Sequence, residues 1–292
     1  MNVAVAFRRL ILRIEPLQTE LNSALNHTAT IKTRLAKSFR LRKFITVGSH
    51  SRKTAIRHYS DVDYFVVFAR DDARWGDSYK SSSTFLNNIK DDLADRFWQT
   101  NIYRDVQAVV ANFGKGEYSV DVVPAIFWGM NSNNWPIYQM PDGDGGWMPT
   151  SPEIHNKFIH ATDSKSGGKL RRTAQLIKFW RECRTPRVPI SSFHIELLLA
   201  SSKICVGIKT YTRCLVEAFQ LLAERECRAY RDPMNISGNV GAVKTEAQRE
   251  EVLRSIVHAR EHAKKALVAE SCGDHNEACR QWDIVFNGKF PY

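Results

Sequence analysis

The sequence has no apolar run long enough to cross a membrane. Residues 1–16 are apolar in part, but Arg8, Arg9 and Arg13 interrupt them and no small-residue cleavage site follows. We therefore expect neither a signal peptide nor a membrane span. The six cysteines lack the close pairing that staples small secreted domains. They predict reduced thiols and a cytoplasmic protein.

Internal repeats and low-complexity tracts are missing as well, and acidic residues are in the minority. The 292 residues contain 42 Lys and Arg against 31 Asp and Glu, a formal net charge of +11. This balance favours polyanionic ligands such as nucleotides, nucleic acids or an anionic membrane, and it also suits a basic surface with no specific partner. The apolar fraction of 43% is ample for a packed core in one large domain or two.

A pair of acids introduces an apolar run in the first quarter of the chain. Asp61 and Asp63 stand directly before residues 64–68, which have the composition of a strand. Side chains alternate along a strand, so both carboxylates face the same side and repel each other unless a cation lies between them. Mg²⁺ prefers such oxygen ligands, particularly where phosphates are handled. An ordinary hairpin with surface acids would show the same Asp-x-Asp pattern.

Gly48 and Ser49 follow an earlier strand candidate, residues 44–47. A glycine directly after a strand lets the backbone turn and approach a ligand closely. The exposed N–H groups of such a turn and a serine hydroxyl bind phosphate oxygens. Neither motif is specific alone. A phosphate-binding turn followed by a carboxylate pair favours metal-dependent nucleotidyl transfer over an ordinary hairpin.

Asp121 is a third acid, placed inside the apolar strand candidate at residues 118–127. Burying a carboxylate is costly unless it is paired, protonated or bound to a metal. A third metal ligand explains its position better than an isolated core acid does.

The remaining pattern predicts an α+β fold with the sheet first. A long amphipathic helix is expected over residues 16–39, and the segment before it is expected to be a first strand or helix. A helix at 83–99, a strand at 105–113 and an irregular connector at 129–152, held to the body by Trp135 and Trp147, follow. The rest is expected to be helical, in segments 153–162, 169–183, 191–206, 211–228, 245–270 and 274–282.

With the three acids placed, the sequence resembles the CD-NTase family, the cGAS/DncV-like nucleotidyltransferases of the polymerase-β-like superfamily. The resemblance covers nearly the whole chain. It rests on Gly48-Ser49, Thr54 to Ile56, Ser60 to Asp63, Val120 to Pro124, Trp147 to His155, Leu176 to Trp180, Ile190 to His194, Asp232-Pro233, Gly238 to Val240 and Trp282 to Pro291.

The resemblance implies a bilobed enzyme with the nucleotide in a central cleft. A polymerase-β-like nucleotidyltransferase core, with a mixed sheet and a long spine helix, would occupy residues 1–150, and a helical lobe residues 151–292. It further implies two Mg²⁺ ions, or Mn²⁺ in their place, on Asp61, Asp63 and Asp121. The implied nucleotide contacts are Gly48, Ser49, Lys178 and Ser192 at the triphosphate and Phe193 at a base.

The implied activity is template-independent joining of nucleoside triphosphates, ATP among them, into a cyclic or linear oligonucleotide second messenger. In bacteria such messengers serve anti-phage signalling in CBASS systems. A regulatory protein partner is also compatible with the sequence. A nucleotidyltransferase that modifies tRNA or a protein, as related toxins do, is the alternative. A catalytically inactive nucleotide binder is a third, although such a protein has no need of three acids.

Two departures from the family pattern are visible. Lys53 stands where many relatives have glycine, so the backbone there has no conformational freedom to draw on. The zinc-binding insertion of the animal DNA sensor has no counterpart, so no nucleic-acid activator is indicated. From the residues alone, Lys178 is more typical of a surface lysine than of a nucleotide contact. Ser191 and Ser192 are also typical of a helix cap, a role that is compatible with phosphate binding.

A set of histidines and cysteines near the end of the chain has a spacing compatible with zinc. A packing or surface role is favoured for the five, because a turn separates the two helices that carry them. They are His258, His262, Cys272, His275 and Cys279.

Overall fold

The computed structural model describes residues 2–114 and 117–292. These fold into two compact units, one formed by residues 16–154 and the other by residues 2–15 together with 155–292. The first helix, α1 (Val3–Ile14), packs with the C-terminal helices although it comes first in the chain. No helix in the described residues is long and apolar enough to cross a lipid bilayer.

The first unit consists of a large sheet, a small hairpin and the helices that cover one face of the sheet. Its elements in chain order are α2 (Gln18–Ser38), β1 (Leu41–Thr46), α3 (Gly48–Ser51), β2 (Val62–Phe68), β3 (Arg74–Trp75), β4 (Ser78–Tyr79), α4 (Ser82–Arg96), β5 (Asn101–Asp105), β6 (Ala108–Asn112), β7 (Val120–Met130), β8 (Pro136–Pro141) and β9 (Trp147–Thr150). The sequence prediction is confirmed for four of these elements: the long helix α2, the strands β1 and β2 on either side of Gly48, and helix α4.

The sheet is mixed. Its strand order is β1-β2-β7-β6-β5, with β8 beside β7 and β9 beside β8. β2 and β7 run parallel, whereas the other described pairs of this sheet are antiparallel. The parallel pair places the first residues of β2 and β7 at the same edge of the sheet, so the segments that lead into the two strands lie side by side.

Helices α2 and α4 cover one face of the sheet with an apolar core. The helices contribute Ala24, Ile31, Leu35, Phe85 and Ile89, and the strands Val62, Val66, Val120 and Val122. Because side chains alternate along a strand, Asp63 and Asp121 belong to the opposite face. Further along that face, away from the two acids, a smaller cluster of Phe65, Val67, Ala125 and Tyr138 fills the space.

Two parts of the sheet differ from the sequence prediction. The strand expected over residues 105–113 is only the second arm of a hairpin, because the chain turns at Val106, which has φ of +47°. A β-branched residue rarely adopts that conformation, so nothing in the sequence marked the turn. The connector expected over residues 129–152 contains β8 and β9. Trp147 does hold it to the body, since its indole N–H donates to the Lys80 carbonyl at 3.0 Å.

The second unit is helical. After α1 it contains most of α5 (Pro152–Lys165), and then α6 (Lys169–Glu182), α7 (Ser192–Ser202), α8 (Tyr211–Glu224), β10 (Tyr230–Arg231), β11 (Asn239–Val240), α9 (Glu246–Ser271) and α10 (His275–Val285). Phe7 of α1 packs against Trp282 and Phe290, with ring centroids 5.1 and 5.0 Å away. The helices predicted for this half of the chain are confirmed, and with them the α+β class.

Candidate active site

The three predicted acids meet at one edge of the sheet. Asp63 of β2 and Asp121 of β7 are direct partners in the register of the parallel pair, and Asp61 immediately precedes β2. Ser119, which the sequence reasoning gave no role, links two of them. Its hydroxyl donates to Asp61 Oδ1 at 2.5 Å and lies 3.4 Å from Asp121 Oδ1. The side chain is two residues from Asp121 on the same face, which is the signal that could have found it.

Burial and like charge dominate the electrostatics of this edge. Burial raises the pKa of Asp121, and the neighbouring carboxylates of Asp61 and Asp63 raise it further, to about 8. The hydrogen bond from Ser119 acts in the opposite direction but does not cancel these effects. Without a cation, the fold therefore holds a carboxyl group whose ionisation is opposed by its surroundings.

The donor set fits a hard divalent cation. Aspartate oxygens are the ligands that Mg²⁺ prefers, and a cation beside Asp121 would offset the repulsion that raises its pKa. In the described residues, no three Asp, Glu, His or Cys side chains are already arranged to hold a metal ion. Asp61 is turned toward Ser119 instead.

Gly48 fits closely against Asp63. It begins the single helical turn α3, and its φ of +64° is one that glycine adopts readily. A methyl group at this position would overlap Asp63 Oδ2. The next strand is fixed to the same turn, because the Val47 N–H donates to the Asp63 carbonyl at 2.9 Å. The predicted phosphate turn and the carboxylate pair are thus in direct contact.

The turn also contains a residue in an unfavourable conformation. Lys53 has φ of +57°, the left-handed region that a glycine would occupy without strain. The replacement of the family's glycine by Lys53, noted in the sequence, therefore places a lysine in a backbone conformation that favours glycine. Thr54 follows at once and donates its N–H to the Ser49 carbonyl at 2.9 Å, which closes the turn.

Glu20 connects the start of α2 to both segments that carry the acids. Its carboxylate accepts from Arg57 Nε at 2.9 Å and from the Tyr118 hydroxyl at 3.3 Å, and the Leu17 N–H donates to it at 3.1 Å. Burial alone would raise the pKa of Glu20, but the hydrogen bonds from Arg57 and Leu17 lower it. A pocket of about 280 Å³ lies beside this network and reaches Asp61. The sequence signal was a glutamate in the first turn of a helix.

Lys178 lies in the helical unit with its side chain buried. Only 2% of the residue is exposed, and its ammonium group forms an ion pair with Glu196, which is fully buried. The surface-lysine alternative is therefore wrong. A buried ion pair of this kind is strongly destabilised when one partner is removed, so any role of Lys178 in nucleotide binding has to be separated from its role in stability.

The other predicted nucleotide contacts of this unit lie at the start of α7. Ser191 is the helix cap, and its hydroxyl accepts from the His194 N–H at 3.3 Å. Ser192 is the first helical residue. The Phe193 ring meets the His155 ring edge-on at 5.3 Å, and His155 Nε2 lies 2.9 Å from Asp232 Oδ2. A nucleotide contact of Ser192 and of Phe193 stays a prediction.

The zinc set shows packing and hydrogen-bonding roles. The rings of His258 and His262 are in tilted contact at a centroid distance of 4.6 Å, and His262 Nδ1 lies 2.7 Å from Gln281 Oε1. Cys279 is buried, whereas Cys272 is exposed. Within residues 2–114 and 117–292 these side chains form no group that could hold a metal ion.

Comparison with known proteins identifies the class. Residues 1–162, more than half of the chain, match the Second Messenger Oligonucleotide or Dinucleotide Synthetase domain. The chain therefore belongs to this family, which confirms the predicted CD-NTase relationship and makes the protein a nucleotidyltransferase.

Two curated relatives are similar over most of their length. A probable cyclic nucleotide synthase of Bacillus cereus strain VD146 is 25% identical over 279 residues, which cover 86% of this chain and 82% of the relative. A cyclic AMP-AMP-AMP synthase of Escherichia coli strain MS 115-1 is 24% identical over 286 residues, which cover 86% of this chain and 84% of the relative.

Solved structures share the fold. CdnC of E. coli MS115-1, solved with ATP, matches with a TM-score of 0.76 and 19% identity over 100% of this chain and 99% of its own. The same protein in complex with HORMA-deltaN matches with a TM-score of 0.73 and 20% identity, over 96% and 95% of the two chains. These matches confirm the predicted core with a mixed sheet and a helical part.

Proposed function

We propose that this protein joins nucleoside triphosphates, without a template, into a cyclic di- or oligonucleotide second messenger, with release of pyrophosphate at each bond. The observation that carries the proposal is the meeting of Asp61, Asp63 and Asp121 at one edge of the sheet, directly against the Gly48 turn. Membership of a family of second messenger synthetases and the two curated synthases support it.

The three aspartates are the residues that would hold two Mg²⁺ ions, or Mn²⁺. When bound, such ions lower the pKa of an acceptor ribose hydroxyl and offset the charge of the triphosphate and of the leaving pyrophosphate. Asp121 is our candidate to accept the proton of that hydroxyl, because a cation beside it would offset the like charge of Asp61 and Asp63 and leave its carboxylate ionised.

Gly48 and Ser49 are our candidates to bind the triphosphate. The absence of a side chain at Gly48 lets the backbone of the turn approach Asp63, so phosphate oxygens bound to the turn would lie beside the carboxylates. Lys178, Ser192 and Phe193 are the further nucleotide contacts that we propose on the strength of the family resemblance.

The biological setting belongs to the same proposal. CdnC has been solved with ATP and in a complex with HORMA-deltaN. We propose that ATP is among the substrates of this protein, that a regulatory protein partner controls it, and that its product serves anti-phage signalling.

Incubation of the purified protein with four radiolabelled nucleoside triphosphates and Mg²⁺ tests the proposal. We expect a small product that resists phosphatase, because a cyclic oligonucleotide has no terminal phosphate, and we expect none from Asp121→Asn. Label recovered only on added tRNA or protein would favour the toxin-like alternative. A phosphatase-sensitive oligomer would indicate a linear oligonucleotide synthase, and no product at all would contradict the proposal.

A further inference from the structure

Strand β5, which was not predicted from the sequence, has a row of exposed side chains along one face. Asn101, Tyr103 and Asp105 are exposed, whereas Ile102 and Arg104 between them are partly buried. Arg104 points to α4, where its guanidinium donates to Asn87 Oδ1 and Ser83 Oγ at 3.2 Å each. Alternation then places the exposed row on the face away from α2 and α4, which is the face that carries the catalytic acids.

The strand registers connect this row to the acids directly. Tyr103 pairs with Val110 of β6, Val110 pairs with Asp121 of β7, and Asp121 pairs with Asp63 of β2. The four side chains therefore form one line across the sheet. Adjacent strands are about 4.8 Å apart, so Tyr103 lies roughly 10 Å from Asp121, at two strand spacings.

Tyr103 is available to a ligand. The residue is 40% exposed, and among the described residues no hydrogen bond or ring contact involves its side chain. Burial raises the pKa of its hydroxyl, and the carboxylates of Asp121, Asp61 and Asp105 raise it further. The ring therefore lies within electrostatic reach of the catalytic edge.

The strand order places the donor and the acceptor of the proposed reaction on opposite sides of the acids. Asp63 and Asp121 lie in the middle of the order β1-β2-β7-β6-β5, with the Gly48 turn on the β1 side and Tyr103 on the β5 side. If the donor triphosphate is bound at Gly48, the acceptor nucleotide has to bind on the side of the acids where β6 and β5 lie. Asp105, which is not among the proposed metal ligands, is an exposed carboxylate on this side, and it suits the amino group of a neutral base better than a phosphate group.

We propose that Tyr103 and Asp105 form the subsite for the base of the acceptor nucleotide, with the base stacked on the Tyr103 ring and its exocyclic amino group donating to the Asp105 carboxylate. The proposal rests on the proposed function, since it assigns the acceptor of that reaction. Adenine, cytosine and guanine carry such an amino group and uracil does not. UTP should therefore be the poorest acceptor.

A donor that lacks an acceptor hydroxyl isolates this subsite. 2′,3′-Dideoxy-ATP transfers its nucleotide but offers no hydroxyl, and an α,β-methylene triphosphate offers a hydroxyl but cannot release pyrophosphate, so their reaction gives only a linear dinucleotide that cannot be extended. We expect Tyr103→Ala to raise the acceptor KM by about 5-fold to 100-fold, the range of base–aromatic stacking, while the KM of dideoxy-ATP stays nearly constant. Tyr103→Phe should restore the acceptor KM, and Asp105→Asn should reduce the discrimination against UTP. Equal effects on both KM values would overturn the proposal.

A binding measurement tests the subsite without turnover. 2-Aminopurine riboside 5′-monophosphate has no pyrophosphate to lose, so it can react only as an acceptor, and stacking quenches its fluorescence. Quenching should weaken in Tyr103→Ala and persist in Tyr103→Phe. Trp75→Ala is the matched control, since this exposed aromatic residue lies in the β3–β4 hairpin after the far end of β2. Unchanged quenching in Tyr103→Ala contradicts the subsite. A wild-type protein that binds the probe but forms no product contradicts the proposed function instead.

Discussion

Asp63 and Asp121 lie opposite each other in the register of two parallel strands, with Gly48 packed against the Asp63 carboxylate. Burial of Asp121, together with the repulsion from the neighbouring carboxylates, raises its pKa to about 8. The arrangement costs stability in the absence of a cation. Strongly shifted pKa values of this kind are concentrated at functional sites.

The pH dependence of stability follows from this pKa. The folded protein holds a proton on Asp121 that the unfolded chain, with an aspartate pKa of 3.8, releases. Between about pH 4 and pH 8, the free energy of unfolding of the metal-free protein should therefore fall as pH rises. Asp121→Asn removes this contribution, so it should be more stable than the wild type at pH 8 by more than about 1 kcal/mol.

Urea unfolding in EDTA at pH 5 and pH 8 measures this difference. Asp77→Asn, a change of an exposed acid in the β3–β4 turn, is the control and should follow the wild type. An Asp121→Asn variant with the same pH dependence as the wild type would show that Asp121 is ionised normally.

Gly48→Ala should reduce turnover strongly, because it displaces the carboxylate of Asp63. The added methyl group displaces the Asp63 carboxylate, and a displacement of about 1 Å in an active site can cost roughly 100-fold in rate. Gly76→Ala is a matched control, because Gly76 has a similar φ of +57° but open space where the methyl group would go. Both variants should lose about 1–2 kcal/mol to backbone strain, but only Gly48→Ala should lose turnover. Equal turnover in the two variants would show that Gly48 is not part of the active site.

Lys178 and Glu196 can be tested together. Lys178→Ala should raise the KM for nucleotide and also destabilise the protein by about 3–5 kcal/mol, because it leaves Glu196 charged and buried. The double variant Lys178→Met with Glu196→Leu should recover most of the stability. If nucleotide binding returns with stability, the pair is structural. If binding stays weak in the stable double variant, Lys178 contacts the nucleotide.

Lys53→Gly should be neutral or stabilising. The left-handed conformation of Lys53 costs about 1–2 kcal/mol, which glycine avoids, although glycine gives back about 0.5–1 kcal/mol in chain entropy. Lys53→Ala keeps the strain and serves as the control. Thermal unfolding of both variants measures the difference, and a Lys53→Gly variant less stable than Lys53→Ala would contradict the assigned backbone conformation.

The shared face of Asp61 and Asp63 could be predicted from sequence because their arrangement is local. Alternation along a strand places Asp61 beside Asp63 without knowledge of the fold. Ser119 could not be assigned in the same way, since its link to Asp61 depends on the parallel register of β2 and β7. That register joins residues far apart in the chain and leaves no local pattern.

Tyr103 was missed for a different reason. The strand that carries it ends in a turn at Val106, and a valine in the left-handed region gives no turn signal. Strands β8 and β9 were hidden by their prolines and by the polar residues around them. The helices were predictable because their apolar spacing persists over several turns.

The ratio of pyrophosphate released to nucleotide incorporated tests the central claim most directly. Closing a ring forms as many phosphodiester bonds as there are nucleotides, so a cyclic product gives one pyrophosphate per nucleotide. A linear product retains one triphosphate and gives fewer. We predict equal amounts for the wild-type protein with Mg²⁺, with the product mass measured in the same reaction, and neither pyrophosphate nor product for Asp121→Asn. Pyrophosphate released by Asp121→Asn at the wild-type rate would contradict the account.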